Sequence, residues 1–260
     1  MSAAGLRLRA FAPTVLAAPN PSAHTASLVF CHGFGATASD WQDLHQLPGM
    51  DHLKVILPQA PLRAISINSM QPMPAWFDIL SMSHAARTQD GDEDEEGLGE
   101  SVDDLTQIIQ TEIDAGIAPG RIVIGGFSQG AALAMMLGLA GKLRLGGVVA
   151  LSGYMPLQWK FISASYGHWM SFMLSPWARE MPVFVGHGTA DPVISFSTGE
   201  AGVARLRDAG LQRLEFQTYP GMAHSACLEE LQDLTRWLQK VVPPINRPEA
   251  TGNPKLWPKL

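Results

Sequence analysis

The chain has 260 residues, 46% of them hydrophobic and only 16% charged, which supplies the apolar matter for one large α/β core and excludes disorder over most of its length. Eighteen Lys and Arg against 24 Asp and Glu leave a net charge of −6, and no basic stripe with interleaved aromatics is present, so nucleic acid is excluded as a partner. The two cysteines, Cys31 and Cys227, lie too far apart to form a disulfide framework or a paired metal-ligand spacing, which points to a reducing, cytoplasmic setting.

In chain order, the first 39 residues carry Arg7 and Arg9 and no acid. We read them as opening strands rather than an organelle-targeting peptide, and Ser2 stands where myristoylation needs glycine. Strands are predicted at Ser27–Cys31, Leu53–Leu57, Arg121–Gly125, Gly147–Leu151, Pro182–His187 and Leu214–Tyr219, with helical patterns between them. That alternation predicts an α/β fold, a mostly parallel central sheet with helices on both faces. The acidic run Gln89–Glu100 reads as a solvated loop, because it lacks the ligand register of an EF-hand. It leads into a helix over Ser101–Ala115, with Val102, Leu105, Ile108, Ile109 and Ile113 on one stripe, Ser101 and Asp104 as a capping box and Gly116 as the stop.

The apolar stretch Ala131–Ala140 predicts a buried helix, too short for the roughly 20 residues a bilayer requires. Leu228, Leu231, Leu234, Trp237 and Leu238 mark the stripe of a last helix. Beyond Val242 the prolines Pro243, Pro244, Pro248, Pro254 and Pro258 forbid helix. The expected organisation is one domain over 1–245 and a Pro-rich tail over 246–260.

Gly126-Phe127-Ser128-Gln129-Gly130 sits between a predicted strand and a predicted helix, the context in which a G-x-S-x-G serine is pushed out above the sheet. The glycines let the backbone approach where a Cβ would clash, and the following helix points its positive end at the serine. A serine hydroxyl needs a base that is itself oriented by an acid. Asp191 follows a strand in Gly186-His187-Gly188-Thr189-Ala190-Asp191-Pro192, and His224 follows the last strand in Tyr219-Pro220-Gly221-Met222-Ala223-His224-Ser225. The order Ser128, Asp191, His224 suits a hydrolase sheet; His187 is the rival histidine, more readily structural. An oxyanion needs two backbone donors, for which Gln129 and Phe34, in the turn His32-Gly33-Phe34-Gly35, are the candidates. That turn has neither nucleotide-binding glycine pattern. The eight histidines show no paired metal spacing, so neither metal nor organic cofactor is expected.

Several segments together resemble the acyl-protein thioesterase family, α/β-hydrolases also grouped as phospholipase/carboxylesterases. They are Phe30-Cys-His-Gly-Phe-Gly, Leu57-Pro-Gln-Ala-Pro, Met73-Pro-Ala-Trp-Phe-Asp78, the acidic run into Ser101, Ile124-Gly-Gly-Phe-Ser-Gln-Gly130, Leu151-Ser-Gly-Tyr-Met-Pro156, His187-Gly-Thr-Ala-Asp-Pro192 and Met222-Ala-His-Ser225. The resemblance implies an α/β-hydrolase fold, Ser128, Asp191 and His224 as catalytic triad, and Phe34 and Gln129 as oxyanion hole. It implies hydrolysis of thioesters joining palmitoyl chains to protein cysteines, with slower action on lysophospholipids and simple esters. It also places Met73, Trp76, Phe77 and Met155 at the substrate groove.

Two departures stand out. Ala36 replaces the acidic residue usual after the glycine turn, and Leu157–Met181 is longer and more aromatic than its counterpart, a candidate lid, acyl-chain wall or membrane-contacting surface. A broad carboxylesterase or lysophospholipase, or a non-catalytic ligand receptor on the same fold, are the alternatives. Expected partners are S-acylated proteins or lysophospholipids, with transient contact at a membrane surface, and the chain is expected as a monomer or weak homodimer.

Overall fold

Every residue of strand β2 (Ala26–Cys31) is buried. Leu28 and Phe30 enter one apolar layer, and Val29 and Cys31 the other. A strand covered on both faces shows this period of two within a continuous apolar run. The computed structural model describes residues 13–81, 93–157 and 174–245. Beside β2 lie β1 (Thr14–Leu16), β3 (Leu53–Leu57), β6 (Ile122–Phe127), β7 (Gly147–Leu151), β8 (Val183–Gly188) and β9 (Leu214–Tyr219). The order is β1-β3-β2-β6-β7-β8-β9, and every neighbouring pair is parallel except β1 with β3. β4 (Leu62–Ile65) and β5 (Gln71–Pro74) form a separate antiparallel hairpin.

Helices α1 (Glu95–Asp114), α2 (Gln129–Ala140), α3 (Phe196–Asp208) and α4 (Leu228–Val241) connect or follow the strands. Leu105 and Ile109 of α1, Leu133 and Leu137 of α2 and Val203 of α3 pack in one layer; Leu234, Trp237 and Leu238 of α4 pack in the other against Phe184 and Val149. Helices therefore cover both faces, as the alternation predicts. Glycine sets the close approach of α4: a Cβ on Gly147 would stand 2.6 Å from the Trp237 ring.

Three features differ from the sequence reading. The β4–β5 hairpin was not predicted, and the strand expected in the opening residues ahead of β2 is only the three-residue edge strand β1, with Val15 exposed; β5 holds two prolines, so neither β1 nor β5 carries a strand pattern of its own. The acidic run is not loop throughout: α1 opens at Glu95, six residues before Ser101. Its cap is Asp94, whose Oδ1 accepts the Gly97 N–H at 2.9 Å, and Glu95 and Glu96 face the positive helix end. Ser101 is buried, and its hydroxyl donates to the Trp76 carbonyl instead of capping. The first 12 residues with Arg7 and Arg9, the acids before Glu93, residues 158–173 of the aromatic segment and the 246–260 tail lie outside the described residues. Among the described residues no helix is long and apolar enough to cross a membrane.

Candidate active site

Ser128 stands at the turn between β6 and α2 with φ at 55°, a left-handed conformation that side chains other than glycine seldom adopt. The turn is held by the Ser128 N–H donating to Leu151 O at 2.9 Å and by the Ala132 N–H donating to Ser128 O at 3.1 Å. Its tightness explains both motif glycines. A Cβ on Gly126 would lie 2.3 Å from the Gly130 carbonyl carbon, and one on Gly130 would lie 2.2 Å from the Cys31 oxygen. Ser128 is the N-cap of α2, yet its side chain makes no capping bond and is left for other chemistry. Residues Gln129 to Leu139 are all buried, so α2 has no polar face and reads as a plain apolar run.

The Ser128 hydroxyl donates to His224 Nε2 at 2.9 Å, and His224 Nδ1–H donates to Asp191 Oδ2 at 2.7 Å. Asp191 lies just beyond β8 and His224 just beyond β9, two adjacent parallel strands whose ends deliver both side chains to one edge of the sheet. The other Asp191 oxygen accepts the N–H groups of Val193 and Ile194 at 2.8 and 2.9 Å. The side chain is fully buried, and these three donors fix its direction. His187 is fully buried and bonds the Ile194 carbonyl at 2.8 Å through Nε2. Burial lowers its pKa, against the opposing pull of that carbonyl and of Asp191. The structure brings Ser128, Asp191 and His224 together and keeps His187 beneath them as a neutral support.

Gln129 is the first helical residue of α2, so its N–H has no intrahelical acceptor and lies at the positive end of the helix, next to Ser128. Phe34 lies on a turn flanked by Gly33 and by Gly35, whose φ is +71° and whose N–H donates to Pro74 O at 2.8 Å. Ala36 closes that turn through its own N–H onto the Gly33 carbonyl at 3.2 Å, a backbone bond its missing carboxylate does not affect. His32 braces the loop from below: Nδ1–H donates to Gly33 O at 2.8 Å and Nε2 accepts the Ala60 N–H at 3.1 Å. Burial lowers its pKa, which preserves the neutral imidazole those two bonds require.

Two cavities meet at Phe34, Ser128 and His224. One, of about 420 Å³, is walled by Ile67, Met73, Ile79, Tyr154, Val193 and Ile194. The other, of about 450 Å³, runs between Trp41, Leu44 and Leu47 on one side and Leu231 on the other. Met73 lines the first, whereas Trp76, Phe77 and Met155 are buried in the core behind it. Trp76 donates from Nε1 to His32 O at 2.8 Å, and Phe77 offers its carbonyl to Gln129 Nε2 at 2.7 Å, so both support the site rather than wall it. Sequence reasoning missed Trp41, Ile67, Ile79, Val193 and Ile194 as lining residues. Only the position of Val193 and Ile194 immediately after Asp191 could have signalled any of them.

A profile of the phospholipase/carboxylesterase family matches residues 14–242. Acyl-protein thioesterase 1 of Mycosarcoma maydis is 37% identical over 234 residues, covering 84% of this chain and 92% of that protein. Acyl-protein thioesterase 1 of Neurospora crassa is 38% identical over 235 residues, covering 88% and 92%. Among solved structures, acyl-protein thioesterase 2 of Zea mays superposes with a TM-score of 0.74 at 27% identity, covering 89% of this chain and 100% of that one.

Proposed function

The chain belongs to the phospholipase/carboxylesterase family and is a hydrolase of the α/β-hydrolase fold, and from that premise we propose that it cleaves acyl thioesters, with S-palmitoylated protein cysteines as its substrates. The observation that carries this reading is the unbroken relay Ser128–His224–Asp191, at 2.9 and 2.7 Å, opening onto a cavity with no Lys, Arg, Asp or Glu among its described lining residues. Each acyl methylene buried there is worth about 0.8 kcal/mol, which favours a long chain over a short one.

Ser128 Oγ attacks the thioester carbonyl while its proton passes to His224 Nε2. The oxyanion accepts the N–H groups of Phe34 and Gln129. Collapse breaks the carbon–sulfur bond, and the imidazolium returns its proton to the leaving thiolate. Water then repeats the cycle on the acyl-enzyme, with His224 as base, and releases the fatty acid and Ser128. Asp191 holds the imidazole in the tautomer that presents Nε2 as acceptor. Both cysteines are free thiols, which suits a reducing compartment such as the cytoplasm.

The test is kcat/KM of the protein and of Ser128→Ala on a palmitoyl-cysteine peptide and on a lysophospholipid of the same chain. We expect Ser128-dependent turnover that prefers the thioester, and a loss of about 10,000-fold in kcat for Asp191→Asn. Preference for the lipid ester would make the protein a lysophospholipase, and turnover indifferent to Ser128 would remove the nucleophile assignment.

A further inference from the structure

The second cavity differs from the first in charge. Asp40 and Asp43 line it beside Trp41, and no Lys or Arg does so among the described lining residues. Both acids lie on the 3₁₀ helix Ala38–Gln46, where residues three apart eclipse each other, so the two carboxylates share one side and both are exposed. Asp40 Oδ2 accepts the Thr37 N–H at 2.8 Å. Neither acid is paired with a cationic side chain among the described residues.

An acyl thioester has two arms that diverge from the carbonyl carbon, and two cavities diverge from Ser128 and His224. The uncharged one suits the acyl arm. We propose that the acidic cavity receives the leaving arm, and that its occupant is a peptide carrying Lys or Arg next to the acylated cysteine. This rests on the thioesterase reading above and names the protein side of the same substrate.

Chemistry separates this occupant from a lipid headgroup. In a choline lysophospholipid the phosphate lies between the ester and the ammonium, so an anion would meet the two carboxylates first. A basic peptide brings only cations, and two of them can be served at once. Trp41 adds an indole in the same cavity, an aromatic partner for ammonium or guanidinium.

The test uses palmitoyl-cysteine peptides of equal length with Lys, Ala or Glu flanking the cysteine, and reads kcat/KM at low and high salt. At low salt the Lys peptide should exceed the Glu peptide by about fivefold to twentyfold, a ratio that falls toward one near 0.5 M salt as charges are screened. Asp43→Asn should compress that ratio and Asp43→Lys should invert it; the ratio is taken within each variant, so a general loss of folded protein cancels. A ratio of one in the native protein, with turnover intact, overturns this inference and leaves the thioesterase reading standing. An Asp43→Asn loss as large on lysophosphatidylcholine as on the Lys peptide overturns it in favour of a headgroup. Failure to turn over any thioester overturns both readings.

Discussion

Gln129 and Trp76 are joined through the backbone of one and the amide of the other: Gln129 Oε1 accepts the Trp76 N–H at 3.0 Å, while Gln129 Nε2 donates to the next carbonyl, Phe77 O, at 2.7 Å. The residue that follows Ser128 thus clamps the segment that carries Met73 to the cavity wall. Replacing it with Leu leaves a buried N–H and a buried C=O unpaired, at about 2 kcal/mol in all. For Gln129→Leu we expect a fall of about 5 °C in melting temperature and about tenfold in kcat. Calorimetry and steady-state kinetics on one preparation read both, and an unchanged kcat would detach the clamp from catalysis.

Gly130 carries a sharper expectation, because the atoms a new Cβ would strike, Cys31 O at 2.2 Å and His32 O at 2.6 Å, are backbone and cannot step aside. Gly130→Ala should yield no folded protein, or one melting more than about 10 °C lower. Gly99, inside α1 with nothing within 4 Å of its added Cβ, is the contrast, and Gly99→Ala should stabilise by about 0.5 kcal/mol. Equal melting temperatures for the two variants would contradict the packing argument.

At the opposite end of the sheet, the buried Glu112 carboxylate takes the Lys54 ammonium at 2.5 Å and the Ser27 hydroxyl at 2.6 Å. Lys54→Met strips the cation from a carboxylate that stays buried, which costs about 3 kcal/mol. Adding Glu112→Leu should restore most of the loss, since the uncompensated charge goes with it. Urea denaturation of the two variants decides this, and a double variant no better than the single would show that packing of the lysine stem dominates.

Glu230 makes stability depend on pH. Its side chain lies against Gly186, and both carboxyl oxygens are buried without a partner among the described groups. Burial, with a smaller push from Asp233, raises its pKa from 4.5 to about 8. The native state therefore holds a proton that the unfolded chain has already released. Its contribution to stability is full below about pH 4.5 and is lost as pH rises through about 8. Glu230→Gln, neutral at every pH, should flatten that decline and melt a few degrees above the native protein at pH 9. Parallel melting curves from pH 5 to 9 would show that Glu230 ionises freely.

What the sequence disclosed follows the range of the interactions involved. β3, β7 and β9 carry their signal in their own residues and begin and end where the pattern places them. Ser128 is legible for the same reason, since the steric demands of its turn are written into Gly126 and Gly130, both within two positions. The start of α1 is not, because Glu95 and Glu96 suit a solvated loop as well as a first helical turn. The choice is made by Asp94, whose second oxygen accepts the distant Asp78 N–H at 2.7 Å. Trp76 and Phe77 were expected at the groove on the family resemblance of their segment, but a resemblance of sequence cannot separate a wall from the core behind it. Their hydrogen bonds to His32 and Gln129 determine that, across more than 40 residues of chain. The charge contrast between the two cavities was equally hidden, because Asp40 and Asp43 gain meaning only from their place beside Ser128.

The hydrogen bond from Ser128 to His224 spans 96 residues, and its acceptor sits after the outermost strand, β9. On a growing chain the strand and helix that flank Ser128 emerge first, and His224 arrives only after β8 and β9 have been made. Parallel pairings of this separation are slow to close, since the loop entropy is spent before the contacts form. A nascent chain shorter than about 224 residues thus holds a serine with no partner to take its proton. Synthesis itself times the completion of the relay, and Ser128 meets its histidine only once the C-terminal part of the sheet has docked.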